Sequence, residues 1–292
     1  MDAKELLKKV RKIEIKTRGL SNNVFAGEYH SAFKGRGMTF SEVREYQYGD
    51  DIRDIDWNVT ARHNRPYVKV YEEERELTVM LLVDVSASRL FGAVGMEKRE
   101  MIAEISATIA FSAIHNNDKV GVIFFSDKIE KFIPPKKGRK HILFIISQLL
   151  DFEPESKGTD IATALTFFAD ALKKRCTTVL ISDFIDNHDY SRPLTIASGK
   201  HDLIAVQVYD KRDSQLPDVG LMRISDLEKG RSRWIDTSDS ATRRTYNKWW
   251  YDRQNKMMEV LSRNGVDVAS ISTDEDYVKA LMGLFKRRGV GK

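Results

Sequence analysis

Residues 77–84, Leu-Thr-Val-Met-Leu-Leu-Val-Asp, form a continuous apolar run that stops on an acid. Alternation marks a strand with one wet face. An unbroken run of this length marks a strand buried on both faces, the kind found inside parallel sheets. Thr-Thr-Val-Leu-Ile-Ser at 177–182, followed by Asp183, and Asp-Leu-Ile-Ala-Val-Gln-Val-Tyr at 202–209 have the same character. Further strands are predicted at 67–71, 119–125, 128–133 and 266–272, and a hairpin from 219–224 and 231–236. Helical spacing is predicted over 2–16, 97–116, 138–150, 160–174, 190–198, 239–264 and 275–287. Strands alternating with helices predict an α/β fold, a doubly wound and mainly parallel sheet covered on both faces. Sites in such sheets lie beyond the carboxyl ends of the strands.

The first 76 residues read differently. After the 2–16 helix, residues 27–66 are rich in Gly, Arg, Asp and aromatics with little periodicity. They read as an ordered but irregular segment held by charge networks. The expected division is therefore an N-terminal helix and extension at 1–76, packed on an α/β domain at 77–292. The single cysteine, Cys176, excludes an intrachain disulfide and a cysteine zinc site, and is expected to be an inert packing residue. No stretch approaches the roughly 18 apolar residues of a membrane span. The start, MDAKELLKKVRKIEIKTRG, alternates charge and lacks the apolar core of a signal peptide, so a cytoplasmic protein is expected.

The sharpest chemical feature leaves the end of the first buried strand as Asp84-Val85-Ser86-Ala87-Ser88. In extended chain alternate side chains point the same way, so Asp84, Ser86 and Ser88 present three oxygens to one point. Two other segments reach the same sheet edge: Gly158-Thr159-Asp160, which opens a helix, and Ser182-Asp183, which ends a strand. One or two carboxylates with neutral hydroxyls suit a hard cation such as Mg²⁺ (or Mn²⁺) and leave it an open position for a carboxylate or phosphate. The plainer alternative is that Ser86, Ser88 and Thr159 cap helices while Asp84 and Asp183 satisfy loop amides.

Asp84-x-Ser86-x-Ser88 with Thr159 and Asp183 resembles the metal-ion-dependent adhesion site of von Willebrand factor A domains. The upstream stretch Tyr46-Gln47-Tyr48-Gly49-Asp50-Asp51-Ile52-Arg53-Asp54-Ile55-Asp56-Trp57, then Thr60-Ala61-Arg62, resembles the signature of the bacterial family called domain of unknown function fifty-eight. Leu180-Ile181-Ser182-Asp183-Phe184 and His201-Asp202-Leu203-Ile204-Ala205-Val206 fit it too. Arg89 departs from the pattern, standing where a methionine is expected. The resemblance implies a von Willebrand factor A-like fold, divalent-metal binding and partnership with a MoxR-type AAA+ ATPase, and it brings no settled enzymatic activity. In this reading Asp84, Ser86 and Ser88 bind the ion directly, Thr159 directly or through water, and Asp183 through water or from behind. An acidic residue of a protein partner takes the sixth position.

The Gly49–Arg62 stretch sets Asp50, Asp51, Asp54 and Asp56 around Arg53 and Arg62. It reads either as a docking surface or as an ion-pair buttress with Trp57 as its hydrophobic plug. The six histidines form no HExxH pair, and neither a GxSxG elbow nor a GxxxxGK[ST] loop occurs, so no complete catalytic constellation is found. A metal-dependent phosphohydrolase remains the rival class, although Ser86 stands where the haloacid dehalogenase type needs a second aspartate as acid/base. A metal-free scaffold of the same fold is the third reading. The net charge of +5 concentrates at residues 229–292, which carry 14 basic against 8 acidic side chains. No nucleic-acid module accompanies it, so the expected partner is a protein with an acidic surface.

Overall fold

The structure is a computed structural model that describes residues 3–20, 38–63, 65–73, 77–90, 98–225 and 232–290. It divides into two compact units, residues 34–77 and the rest of the chain.

The larger unit is built on a six-stranded sheet of β3 (Thr78–Asp84), β4 (Lys119–Phe125), β5 (Ile129–Lys136), β6 (Thr177–Ser182), β7 (Asp202–Tyr209) and β10 (Asp267–Ser272). Their order is β10-β7-β6-β3-β4-β5. Every neighbouring pair is parallel except β4–β5, which is antiparallel. The apolar run at 78–84 is the central strand, and Val79 to Val83 are buried. The chain leaves β3 towards β4 on one side, and β6 pairs with β3 on the other. The carboxyl end of β3 is thus the topological switch point, where open α/β sheets bind ligands.

The helices are α3 (Lys98–His115), α4 (Arg139–Asp151), α5 (Ile161–Ala171), α6 (Ser191–Lys200), a four-residue α7 (Lys211–Ser214), α8 (Ser240–Arg263) and α9 (Tyr277–Val290). Helix α3 is buried along nearly its whole length, from Met101 to Ala113. Such a helix needs cover on both sides. The sheet gives one side, and α1 (Ala3–Leu20) packs on α3 and α4 to give the other. Val10 and Ile13 of α1 are buried, and Lys9–Glu100, Lys16–Glu104 and Glu14–Arg139 pair across the contact. By compactness the chain groups differently from the expected 1–76 and 77–292 division, with residues 34–77 as one unit. Helix α1 belongs to the sheet unit, because the apolar outer face of α3 needs it. Strands β8 (Leu221–Ser225) and β9 (Ser232–Asp236) pair as the expected antiparallel hairpin.

The smaller unit holds β1 (Met38–Glu45), a 3-10 turn at Ile52–Asp54, α2 (Trp57–His63) and β2 (Tyr67–Glu73). Residues 27–37 of the segment read as irregular lie outside the described residues. The rest of it is more regular than expected. Strand β1 pairs antiparallel with β2, but a register shift between Phe40 and Glu42 breaks its alternation, which hides the strand from a period-two reading. The Asp56 carboxylate accepts from Asn58 N (3.0 Å) and Val59 N (3.2 Å), capping the start of α2. Trp57 is 67% exposed, so it is not the plug expected of it. Among the described side chains of this unit Val68 of β2 is the buried one, and Ile55 bridges to its backbone. Arg44 holds Asp50 bidentately at 2.8 and 2.7 Å, and Arg53 pairs with Asp51 at 2.8 Å. Arg62 is exposed at the end of α2.

Candidate metal centre

Three loops meet at this sheet edge: the one leaving β3, the 152–160 connection between α4 and α5, and the one leaving β6; backbone bonds tie the first two to each other and to the end of β4. Val85 N donates to Phe125 O (2.8 Å), Ala87 N to Lys157 O (3.1 Å) and Asp160 N to Ser126 O (2.9 Å). The first loop carries Asp84, Ser86 and Ser88, and the second carries Thr159. The third carries Asp183. Asp84, Ser86, Thr159 and Asp183 are all buried, with Ser88 at their edge.

Asp84 Oδ1 accepts from Ser86 N at 2.9 Å, and Oδ2 accepts from Ser182 Oγ at 2.6 Å. The Ser86 and Ser88 hydroxyls lie 3.0 Å apart. One carboxylate and two hydroxyls converge as expected, but not by extended-chain alternation: Ala87–Leu90 is a 3-10 turn, and that turn brings Ser88 beside Ser86. Asp183 Oδ1 accepts from Ile185 N at 3.0 Å. The chain then turns at Phe184, whose φ of +57° is strained for a side chain this bulky. The buried Phe184 ring in the core and the Phe184 N donation to Ser182 Oγ (3.0 Å) hold that turn.

Burial, and then the charge of Asp183, push the Asp84 carboxyl up to about 7, against the pull of the Ser182 and Ser86 hydrogen bonds. The reason is visible in the charges. Lys98, 1% exposed at the start of α3, places Nζ 3.2 Å from Asp183 Oδ2 and 2.6 Å from Asp213 Oδ2. Burial lowers the pKa of this ammonium, and Asp183 and Asp213 more than restore it. Burial raises Asp213 in turn. Lys98 is thus paired with Asp183 and Asp213, while burial and the Asp183 charge hold a proton on Asp84 that a bound cation would displace. The donor set is all oxygen, the kind that suits a hard divalent cation. The side chain of Arg89 lies outside the described residues.

Sequence reasoning did not single out Lys98 or Asp213. Lys98 looks like an ordinary first-turn residue of a helix, and no spacing links it to Asp213. Gln207, whose Nε2 donates to Asp183 O at 3.2 Å, is equally silent in sequence. Beside the centre, the buried Asp186 carboxylate accepts from Ile161 N, His188 N and His188 Nδ1, each at 2.8 Å. The hydrogen bond that His188 donates to Asp186 raises the pKa of the exposed His188 ring. Asp160, Asp186 and His188 thus stand close together, flanking a cleft lined by Asp127, Gly158, Thr159 and Asn187. Cys176 is buried, and its thiol is pushed up to about 11 by that burial, so it is no nucleophile at neutral pH.

The strand order, the antiparallel edge strand and the Asp-x-Ser-x-Ser loop at the switch point define a von Willebrand factor A-like domain. The chain belongs to the family described as "Protein of unknown function DUF58", whose sequence profile matches residues 42–256. It is 29% identical to the uncharacterized protein Rv1480 of Mycobacterium tuberculosis (strain ATCC 25618 / H37Rv), over 99% of this chain and 92% of that protein. Among solved structures it is similar to the conserved hypothetical protein BatB of Bacteroides thetaiotaomicron, with a TM-score of 0.49 and 14% identity over 73% of this chain and 99% of that one. Another similar structure is proximal thread matrix protein 1 from the mussel byssus with a zinc-occupied MIDAS motif, with a TM-score of 0.37 and 14% identity over 73% of this chain and 69% of that one.

Proposed function

We propose that this chain is a protein-interaction module whose docking depends on a divalent cation, Mg²⁺ or Mn²⁺. Asp84, Ser86 and Ser88 bind the ion directly. Thr159 acts directly or through water, and Asp183 acts through water or from behind. An acidic residue of the partner completes the coordination. The supporting observation is the meeting of the buried Asp84 carboxylate with the Ser86 and Ser88 hydroxyls. A site this poor in charged ligands leaves the ion partly positive, so it attracts a carboxylate from outside.

The partner we propose is a MoxR-type AAA+ ATPase, met in the cytoplasm, in keeping with the family. Among the described residues no helix is long and apolar enough to cross a membrane. Binding fits better than phosphoester hydrolysis, because the residue two positions after Asp84 is a buried serine bonded to another serine, with no proton-donating carboxyl.

Calorimetric titration with Mg²⁺ and Mn²⁺ tests the metal. Saturable binding lost in Asp84→Ala supports the reading, and no binding at millimolar metal overturns it. Retention of the purified ATPase by this chain, with and without chelator, tests the partner. Chelator-insensitive retention removes the metal from the docking step.

A further inference from the structure

We infer that Lys98 sets the net charge of the metal centre and thereby its affinity for cations. The inference rests on the metal-binding reading. It adds a residue that touches no ion and acts through Asp183.

Lys98 is among the largest fully buried side chains of the chain. Burying an ammonium is costly unless it is paired and hydrogen-bonded, so its partners decide what it does there. Among the described residues they include two carboxylates from different places. Asp183 belongs to the centre, at the end of β6, with Nζ to Oδ2 at 3.2 Å. Asp213 lies in α7, just past the end of β7, with Nζ to Oδ2 at 2.6 Å. Asp213 is not a loose surface group. Its carboxylate also accepts from Asp210 N at 2.8 Å, in the capping box that starts α7. Its backbone carbonyl accepts from Tyr246 OH of α8 at 3.0 Å. The fold therefore supplies a rigid acid whose position keeps the ammonium where it is.

The electrostatic consequence has a definite sign. Asp84 and Asp183 attract a divalent ion, Lys98 repels it through Asp183, and Asp213 tempers Lys98. Removing the ammonium makes the pocket more negative by one charge, and removing Asp213 makes it less negative by one. Removing both restores the original balance. In a pocket this buried, solvent screens such changes weakly. A lysine retained only for packing would behave otherwise, since every substitution around it would loosen the centre and weaken binding.

The test is Mn²⁺ and Mg²⁺ calorimetry on the full chain, comparing wild type with Lys98→Met, Asp213→Asn and the double variant. Lys98→Met is expected to tighten binding on the order of tenfold, and Asp213→Asn to weaken it by a similar factor. The double variant should return to within about threefold of wild type. In chelator Lys98→Met leaves two buried acids unpaired, so its melting temperature should fall and be restored by millimolar Mg²⁺. If Lys98→Met does not fold, Lys98→Gln takes its place in the same comparison, because a carboxamide removes the charge and keeps a hydrogen-bond donor for Asp183 and Asp213. Unchanged or tighter binding in Asp213→Asn overturns the inference, as does weaker or unchanged binding in Lys98→Met, and in both cases the wild-type metal site stands. Absence of metal binding in wild type and variants alike overturns the metal reading, and this inference with it.

Discussion

Ser182 Oγ donates to Asp84 Oδ2 at 2.6 Å, joining the ends of two neighbouring parallel strands across 98 residues of chain. The same hydroxyl accepts from Phe184 N at 3.0 Å. One serine thus orients the principal carboxylate of the centre and holds the strained turn that follows Asp183. Ser182→Ala removes both bonds and leaves a buried acceptor and a buried donor short of partners. It should cost about 1–3 kcal/mol of stability in chelator, read by urea denaturation, and weaken Mn²⁺ binding. Wild-type values on both measurements would deny Ser182 this role.

The pH dependence follows from Asp84. Its folded-state pKa is raised to about 7, mainly by burial, against an ordinary 3.8. The folded chain therefore holds a proton that the unfolded chain releases. Stability from this group is full below about pH 4 and is lost as pH rises towards 7. The chelated protein should melt at a lower temperature at pH 8 than at pH 6. Mg²⁺ should stabilise it more at pH 8, where the metal no longer competes with a proton. Asp84→Asn should flatten both trends, and melting curves at the two pH values decide the matter.

Trp57 offers a test of the smaller unit. With its side chain 67% exposed, Trp57→Ala should change stability by no more than about 0.5 kcal/mol. If the Gly49–Arg62 segment docks a partner, the same variant should lower retention of that partner several-fold at an unchanged melting temperature. A large drop in stability with retention intact would return the segment to the buttress reading.

Gly121 tests the packing behind the centre. A methyl group there would lie 2.7 Å from Met80 Sδ, 2.9 Å from Pro135 N and 3.0 Å from Ile133 O. Two of these are backbone atoms of β5, which cannot move without disturbing the β4–β5 ladder. Gly121→Ala should destabilise by about 1–3 kcal/mol, measured by chemical denaturation, and leave metal affinity nearly unchanged. Equal stability would show that β5 yields more easily than its bonding suggests.

Much of the sheet was legible because burial on both faces leaves an unambiguous trace. Strand β3 is apolar from Val79 to Val83, and β6 and β7 follow the same rule. Strand β1 was not legible, because the register shift after Phe40 interrupts the alternation by which an exposed-face strand is recognised. Trp57 misled for a related reason. A large aromatic in a charged segment suggests a plug, but Asp56 caps α2 immediately before it and leaves the Trp57 side chain exposed.

The local order of residues settled what could be settled locally. It set the α/β alternation, the buried strands, and the Asp84, Ser86 and Ser88 oxygens spaced to converge beyond a strand end. Only the tertiary structure decided the electrostatics. Lys98 and Asp183 are 85 residues apart, and no periodicity relates either of them to Asp213. Charges act through space and in proportion to burial, and neither quantity is written in the spacing of a chain. The same holds for α1, whose helical pattern was plain but whose place on α3 depended on an apolar face left open by the sheet.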